Sequence, residues 1–292
     1  MAQSSQSPFN ERDAGLLMVF ADPGKEATEA EFHEWYENEH IPLRTSTLPE
    51  FLSAARYKVT SSNFVSSTDP NPSAAFKAPW CAYYTISSNA LFTDSRYTDL
   101  RTNRSKREGE LIGRLGVLDR RIYRLIYDSA AEGAIDIAAD SRDGIGPAPA
   151  DLSPQSKEDV EKNATYAVAT SVTPAEGNKK AYDEWYAREH VGMLKKVPGW
   201  KRTRRYELID ALVNGKDVKP NNGDAAEIPI CLGLHEYSTP DFEQTEEYKA
   251  ALDTPWRSQV IEGGIVRRER RVMNLYHAFN PDSAIKAQGN SL

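Results

Sequence analysis

No apolar stretch in this sequence approaches the roughly 18–20 residues that a helix needs to span a bilayer. The opening residues, MAQSSQSPFNERD, lack the hydrophobic core of a secretory signal. Cysteine is scarce. Cys81 and Cys231, one in each half, make no disulfide framework, which fits a reducing compartment. A cytoplasmic protein with no membrane partner is the expectation. Positive charge is also in deficit: 36 Lys and Arg stand against 43 Asp and Glu, a net charge of -7, which argues against a nucleic-acid binder. There is no glycine-rich phosphate loop and no G-x-S-x-G, and neither cysteine has the surroundings of a nucleophile.

What the chain does have is material for packed cores. Hydrophobic residues make up 39% and aromatics 10%, too many for a disordered chain. Its 292 residues suit two domains of ordinary size. An internal repeat agrees. EWYENEH at 34–40 returns as EWYAREH at 184–190, and LPEFLSAARYKV (48–59) as VPGWKRTRRYEL (197–208). PWCAYY (79–84) aligns with PICLGL (229–234), and RRIYRLIY (120–127) with RRVMNLYH (270–277). Order is preserved and the offset stays near 150 residues, so the sequence reads as a duplication. The expected boundaries are a first module at 14–129, a second at 163–279, a linker at 130–162 rich in Ala, Asp, Ser, Gly and Pro, and a loose tail at 280–292.

Each module shows the same pattern. In the first, GLLMVFAD (15–22) suits a buried strand. Thr28 and Glu31 then form a capping-box signature, and Phe32, Trp35, Tyr36, Glu39 and His40 fall on one helical face. Strands are expected near 51–60 and 80–87, a helix near 90–108 and a strand at 118–128. In the second, a strand at 164–172 precedes a capping box at Thr173, Pro174 and Glu176, and Tyr182, Trp185, Tyr186, Glu189, His190 and Met193 share a face. Strands near 200–209 and 229–237, a helix from about 240 and a strand near 266–278 follow. The order is β-α-β-β-α-β, which is ferredoxin-like. Such a sheet carries helices on one face only, and a second copy is the natural cover for the other. The expected fold is therefore α+β: two tandem ferredoxin-like modules whose antiparallel sheets pack together within one chain.

The W-Y-x-x-E-H helix end, followed by P-x-[FW] and R-Y, resembles the EthD-like branch of the dimeric α+β barrel superfamily. The resemblance spans both modules and implies a barrel. It also implies a function from the range found there: decarboxylases and cyclases of aromatic polyketides, cofactor-free monooxygenases, haem enzymes and stress-related proteins of unknown activity.

Histidines carry the chemistry. His40 and His190 end the first helix of each module, where an imidazole can act as acid or base near neutral pH. Tyr36 and Tyr186 lie four residues earlier on the same face. Alternation along CLGLHEY puts Cys231, Gly233, His235 and Tyr237 on one side, with Thr85 in the position of His235 in the first module. His277 takes the place of Tyr127, so the second module is expected to gather His190, His235 and His277 around one pocket. The expected catalytic residues are His190, His235, His40 and Tyr186. Tyr36, Trp185, Tyr84, Arg205, Arg56 and His277 are expected to bind substrate.

Glu39 and Glu189 are expected to pair with Arg56 and Arg205. The basic runs at 201–206 and 267–271 read mainly as solvated faces, with an inward arginine able to hold a carboxylate. His190, His235 and His277 lie 45 and 42 residues apart and match no metal-ligand spacing. Long loops near 60–78 and 210–228 are placed to act as lids. The leading reading is a cofactor-independent enzyme that decarboxylates, cyclises or isomerises a phenolic or polyketide-like molecule by His/Tyr proton transfer. A monooxygenase or haem-dependent enzyme is the first alternative, and a non-catalytic small-molecule-binding protein the second. The chain is expected to work as a monomer or homodimer.

Overall fold

The computed structural model describes residues 8–67, 73–130, 153–219 and 223–281. The first half runs β1 (Gly15–Asp22), α1 (Glu29–Trp35), a five-residue π-helical turn (Tyr36–His40), α2 (Ile41–Thr47), β2 (Phe51–Ser66), β3 (Trp80–Ile86), α3 (Ser95–Thr102), α4 (Lys106–Ile112) and β4 (Val117–Asp128). Helix α5 (Lys157–Asn163) then leads into β5 (Tyr166–Pro174), α6 (Lys179–Trp185), a second π-helical turn (Tyr186–His190), α7 (Val191–Leu194) and β6 (Trp200–Asn214). The chain continues with β7 (Cys231–Tyr237), α8 (Glu246–Leu252), α9 (Pro255–Glu262) and β8 (Ile265–Phe279). No helix among the described residues is long and apolar enough to cross a membrane.

All eight strands join one closed antiparallel barrel in the order β1-β3-β2-β8-β5-β7-β6-β4. The order β2-β3-β1-β4 in the first half matches β6-β7-β5-β8 in the second. The halves are sewn together by β2 on β8 and β4 on β6. Alternation sorts the side chains. Leu16, Met18 and Phe20 enter the barrel, while Leu17, Val19 and Ala21 face the helices. A strand buried on both faces reads as one apolar run, as β1 does. On α1, fully buried Phe32 and Trp35 anchor the helix to the sheet. Each such side chain stabilises the packing by about 2–3 kcal/mol.

The barrel is filled, and much of the filling is charged. Asp119, Arg121, Glu269 and Arg271 are at most 2% exposed. Arg121 donates to Asp119 at 2.6 Å and to Glu269 at 2.5 Å, and Arg271 donates to Glu269 at 2.6 Å and to the Ala75 carbonyl at 2.8 Å. A second network binds Arg204 to Glu236 and to Thr85, and Tyr83 to Glu236 at 2.9 Å. The runs read as solvated faces are thus partly interior. The side-chain period of 2 sends Arg204, Glu269 and Arg271 into the barrel, where each has an opposite charge waiting.

Several local expectations are corrected. The second capping box does not form: Pro174 ends β5, and α6 starts at Lys179 after Asn178, which makes no side-chain cap. Thr28 does cap α1 through the Glu31 amide, but the Glu31 carboxylate turns to Arg114. The expected 90–108 helix is broken into a 3-10 turn, α3 and α4, because Asp94 and Ser105 each cap a new start. Strands β2 and β6 run on to Ser66 and Asn214, shortening both lid candidates, of which 68–72 and 220–222 lie outside the described residues. Most of the linker (131–152) and of the tail (282–292) also lies outside them. The linker's last part forms α5, whose Val160 joins the barrel core together with Ala164.

The register also moves one alignment by a residue. Arg56 lies opposite Ala82 and Arg205 opposite Gly233, so Tyr84, not Thr85, is the counterpart of His235. One residue of slip exchanges the two faces of a strand. Cys81 accordingly enters the barrel, while Cys231 packs beneath the second half's helices.

Candidate active site

The barrel's outer face and the helix layer enclose two comparable sites, one in each half. In both, the chain passes from α-helix into a π-helical turn. The Ile41 amide donates to the Tyr36 carbonyl, and the Val191 amide donates to the Tyr186 carbonyl. Such one-turn insertions are frequent at functional sites. Here the turn keeps Tyr36 with His40, and Tyr186 with His190, on the sheet-facing side, ring centroids 5.1 and 5.0 Å apart.

In the first half His40 is held by a carboxylate. Its Nδ1 lies 2.9 Å from Oε1 of Glu108, a fully buried residue of α4, and Arg44 stands 3.7 Å from the same oxygen. Burial favours the acid form of Glu108, but the His40 hydrogen bond and the charge of Arg44 outweigh it and hold the pKa below the ordinary value. Burial and then Arg44 push His40 down to about 3, against the pull of Glu108. The imidazole is therefore neutral at physiological pH, donates Nδ1–H to Glu108 and leaves Nε2 as a base. Sequence reasoning missed Glu108. It reads as the last residue of an S-x-x-E capping box, but only Ser105 caps, its hydroxyl accepting from the Glu108 amide at 3.0 Å and donating to Glu39.

Arg56 lies buried beside this pair. It donates to Glu37 at 3.0 Å and to Nδ1 of His33 at 2.8 Å. Four rings surround its guanidinium, Tyr36 at 4.6 Å, then Phe32, Tyr276 and Trp80 at 5.2 to 5.5 Å. A shallow crevice, too narrow to hold a water molecule, runs between Tyr36, Arg56, Trp80 and the β1 residues Val19 and Ala21. His277 belongs here and not with His190 and His235. Strand β8 carries it across the seam to lie opposite Arg56, 3.6 Å from Glu37, with its side chain 37% exposed. Because the last strand of each half pairs with the other half, Tyr127 likewise joins the second site, opposite Arg205.

The second site is closed upon itself. The Tyr186 hydroxyl lies 2.7 Å from Nε2 of His235, and Nδ1 of His235 lies 3.1 Å from Thr203 Oγ1, which also accepts from Trp200 at 3.0 Å. Burial, then Arg270 and Arg205, push His235 down to about 3, so the ring is neutral and accepts the phenol proton. His190 stacks on Trp185 at 4.4 Å and is depressed well below its ordinary value, chiefly by burial. Arg205 lies 4.3 Å over the Tyr186 ring and donates to Asp183 at 2.7 Å. The expected Glu39–Arg56 and Glu189–Arg205 pairs are absent. Glu39 accepts from Ser105, and Glu189 from Trp185 and Thr254, because the π turn swings both glutamates toward the neighbouring helices.

Gly233 makes the Tyr186 contact possible. A Cβ at this position would sit 2.0 Å from the Tyr186 hydroxyl. Gly233→Ala is expected to break the Tyr186–His235 bond and to destabilise the protein by about 2–3 kcal/mol, read from chemical denaturation. A loss under 0.5 kcal/mol would mean that the ring has room to move.

No family model matches the sequence, and no curated protein matches it. Solved structures do. An anthrone oxidase-like protein aligns over 95% of this chain and 96% of its own length, with 11% identity and a TM-score of 0.52. The chain has the dimeric α+β barrel fold. A chlorite dismutase-like protein aligns over 96% of this chain and 99% of its own, at 11% identity and a TM-score of 0.45. A ferredoxin fold protein from Listeria monocytogenes, related to antibiotic biosynthesis monooxygenases, covers 88% and 94% at 10% identity and a TM-score of 0.34. Among the described residues, no three His, Cys, Asp or Glu side chains converge as a metal site would require.

Proposed function

We propose that this chain is a cofactor-independent enzyme that moves a proton on a phenolic or polyketide-like molecule, with His40 as the base. The Nδ1 contact between His40 and Glu108 carries the reading. A neutral imidazole steered by a buried carboxylate presents Nε2 in a fixed tautomer, and Glu108 offsets part of the cost that burial and Arg44 place on the protonated ring. Tyr36 is placed to polarise a substrate oxygen, and Arg44 and Arg56 favour the anion that deprotonation leaves. Decarboxylation, cyclisation and isomerisation all begin with such a step or its reverse. The EthD-like branch and a tandem duplication, with modules at 14–129 and 163–279, belong to the same proposal. They are supported by the shared helix-end motif and the repeated strand order.

A second reading shares the first step. Once deprotonated, an electron-rich ring carbon can react with dioxygen, a CH2 group and O2 giving a ketone and water. The anthrone oxidase-like neighbour favours this branch over a plain lyase.

The test is turnover of a panel of phenolic β-keto acids and hydroxylated anthrones, followed by absorbance and by an oxygen electrode. His40→Gln is expected to cut turnover at least a hundredfold and Glu108→Gln at least tenfold. The base form dominates above the pKa of about 3, so the wild-type rate should stay flat from pH 8 to pH 5 as far as His40 governs it. Unchanged turnover in His40→Gln would end the assignment.

A further inference from the structure

Two hydrogen bonds of the second half have no equivalent in the first. In the second half, Trp185 Nε1 donates to Glu189 at 3.0 Å, and the Tyr186 hydroxyl meets His235 at 2.7 Å. In the first half Glu39 has turned to Ser105 and toward Arg107, so it accepts nothing from Trp35. Tyr84 stands where the second half has His235, so the sheet offers Tyr36 another phenol in place of an imidazole acceptor. Among the described residues, neither Trp35 Nε1 nor the Tyr84 hydroxyl has a hydrogen-bond partner, and both side chains are fully buried.

Buried donors are almost always satisfied, and one left alone costs free energy. The second half shows that this fold can satisfy the Trp donor from its own helix, and can join the helix tyrosine to the sheet residue beneath it. Leaving both open beside the His40–Glu108 pair is what a site that receives its acceptor from outside requires. The second half has orphans too, among them His190 Nδ1, one guanidinium nitrogen of Arg205, and the Tyr206 and Tyr237 hydroxyls. There, however, the Tyr186 hydroxyl fills the space over the sheet, only 2.0 Å from where a Gly233 Cβ would be.

Resting on the reading above, we infer that the first half holds the working site, and that Trp35 and Tyr84 donate hydrogen bonds to oxygen atoms of its ligand. The ligand class follows. It carries at least two acceptor oxygens on a flat apolar frame, since the rings beside the donors are Phe32 and Tyr36 at Trp35, and Phe51 at Tyr84. Arg44 and Arg56 favour an oxygen with negative charge. An aryl ketone bearing a neighbouring phenolate has these features. Trp35 and Tyr84 are binding donors, and the second half supports the barrel.

The experiment separates binding from turnover. The probe is 1,8-dihydroxyanthraquinone, a planar phenolic ketone, titrated by its visible absorbance into the full chain, with a thermal melt of each variant in its absence. Tyr84→Phe is expected to weaken the probe's Kd about tenfold while the free protein melts at the same or a higher temperature, because an orphaned hydroxyl has been removed. Tyr237→Phe, which removes an orphaned hydroxyl from the second half, should leave Kd within twofold. An unchanged Kd in Tyr84→Phe, a loss confined to Tyr237→Phe, or no binding by the wild type would each overturn the inference. If Tyr84→Phe weakens the probe while His40→Gln keeps its turnover, the binding site stands and the proton-transfer reading falls.

Discussion

Replacing Arg121 by Met is expected to destabilise the protein by about 3–5 kcal/mol, the largest effect of any single substitution in the barrel. The guanidinium lies between Asp119 and Glu269, and all three are nearly inaccessible to water. Burial alone would raise the Glu269 pKa, yet the charges of Arg121 and Arg271 hold it below the ordinary value. Without Arg121, Glu269 keeps Arg271, but Asp119 loses its cation in a closed interior. The carboxylate must then stay charged without a partner or take up a proton, and either costs free energy. Denaturant midpoints of Arg121→Met, Asp119→Asn and the double variant form the measurement. The double variant should lose less than Arg121→Met alone, because it removes charge and counter-charge together. A cost below 1 kcal/mol for Arg121→Met would show that water reaches the network.

Acid is expected to unfold the protein well before its carboxylates titrate. His40 and His235 have folded-state values of about 3, below the unfolded value near 6.5. As pH falls through 6.5 the unfolded chain gains protons at these rings and the folded one does not. Stability must therefore decline with falling pH, and the decline continues until the folded rings themselves titrate near pH 3. At pH 5 the loss is roughly 2 kcal/mol for each of the two rings, from 1.36 kcal/mol per pH unit. His190, depressed in the same direction, adds to it. Glu108, Glu269 and Asp128, whose folded values are lowered, contribute stability that fades only below about pH 4.5, so the window from 6.5 to 5 belongs to the histidines. Urea unfolding at pH 7.5 and pH 5 should differ by about 4 kcal/mol or more. Equal stabilities would mean that these rings are charged, or solvated, in the folded protein.

The sequence alone determined the strands and the aromatic helices in outline. An apolar run at 15–22, the aromatic helix faces around Trp35 and Trp185, and motifs recurring in order were enough to read an α+β fold with ferredoxin-like strand order, since periodicity and spacing are local properties of the chain. Tyr36, His40, Tyr186 and His190 were visible for the same reason, being four residues apart on one helical face. The tertiary structure decided everything that depends on which strand lies beside which. Pairing of β8 with β2 took His277 away from His190 and His235 and set it beside Arg56. A one-residue shift in register made Tyr84, and not Thr85, the counterpart of His235. Closure of the barrel buried arginines that composition had assigned to a solvated face, and α4 brought Glu108 to His40 from 68 residues away. Register and closure are set by the joint burial of two faces from distant segments, and no local pattern encodes which partner the second face will meet.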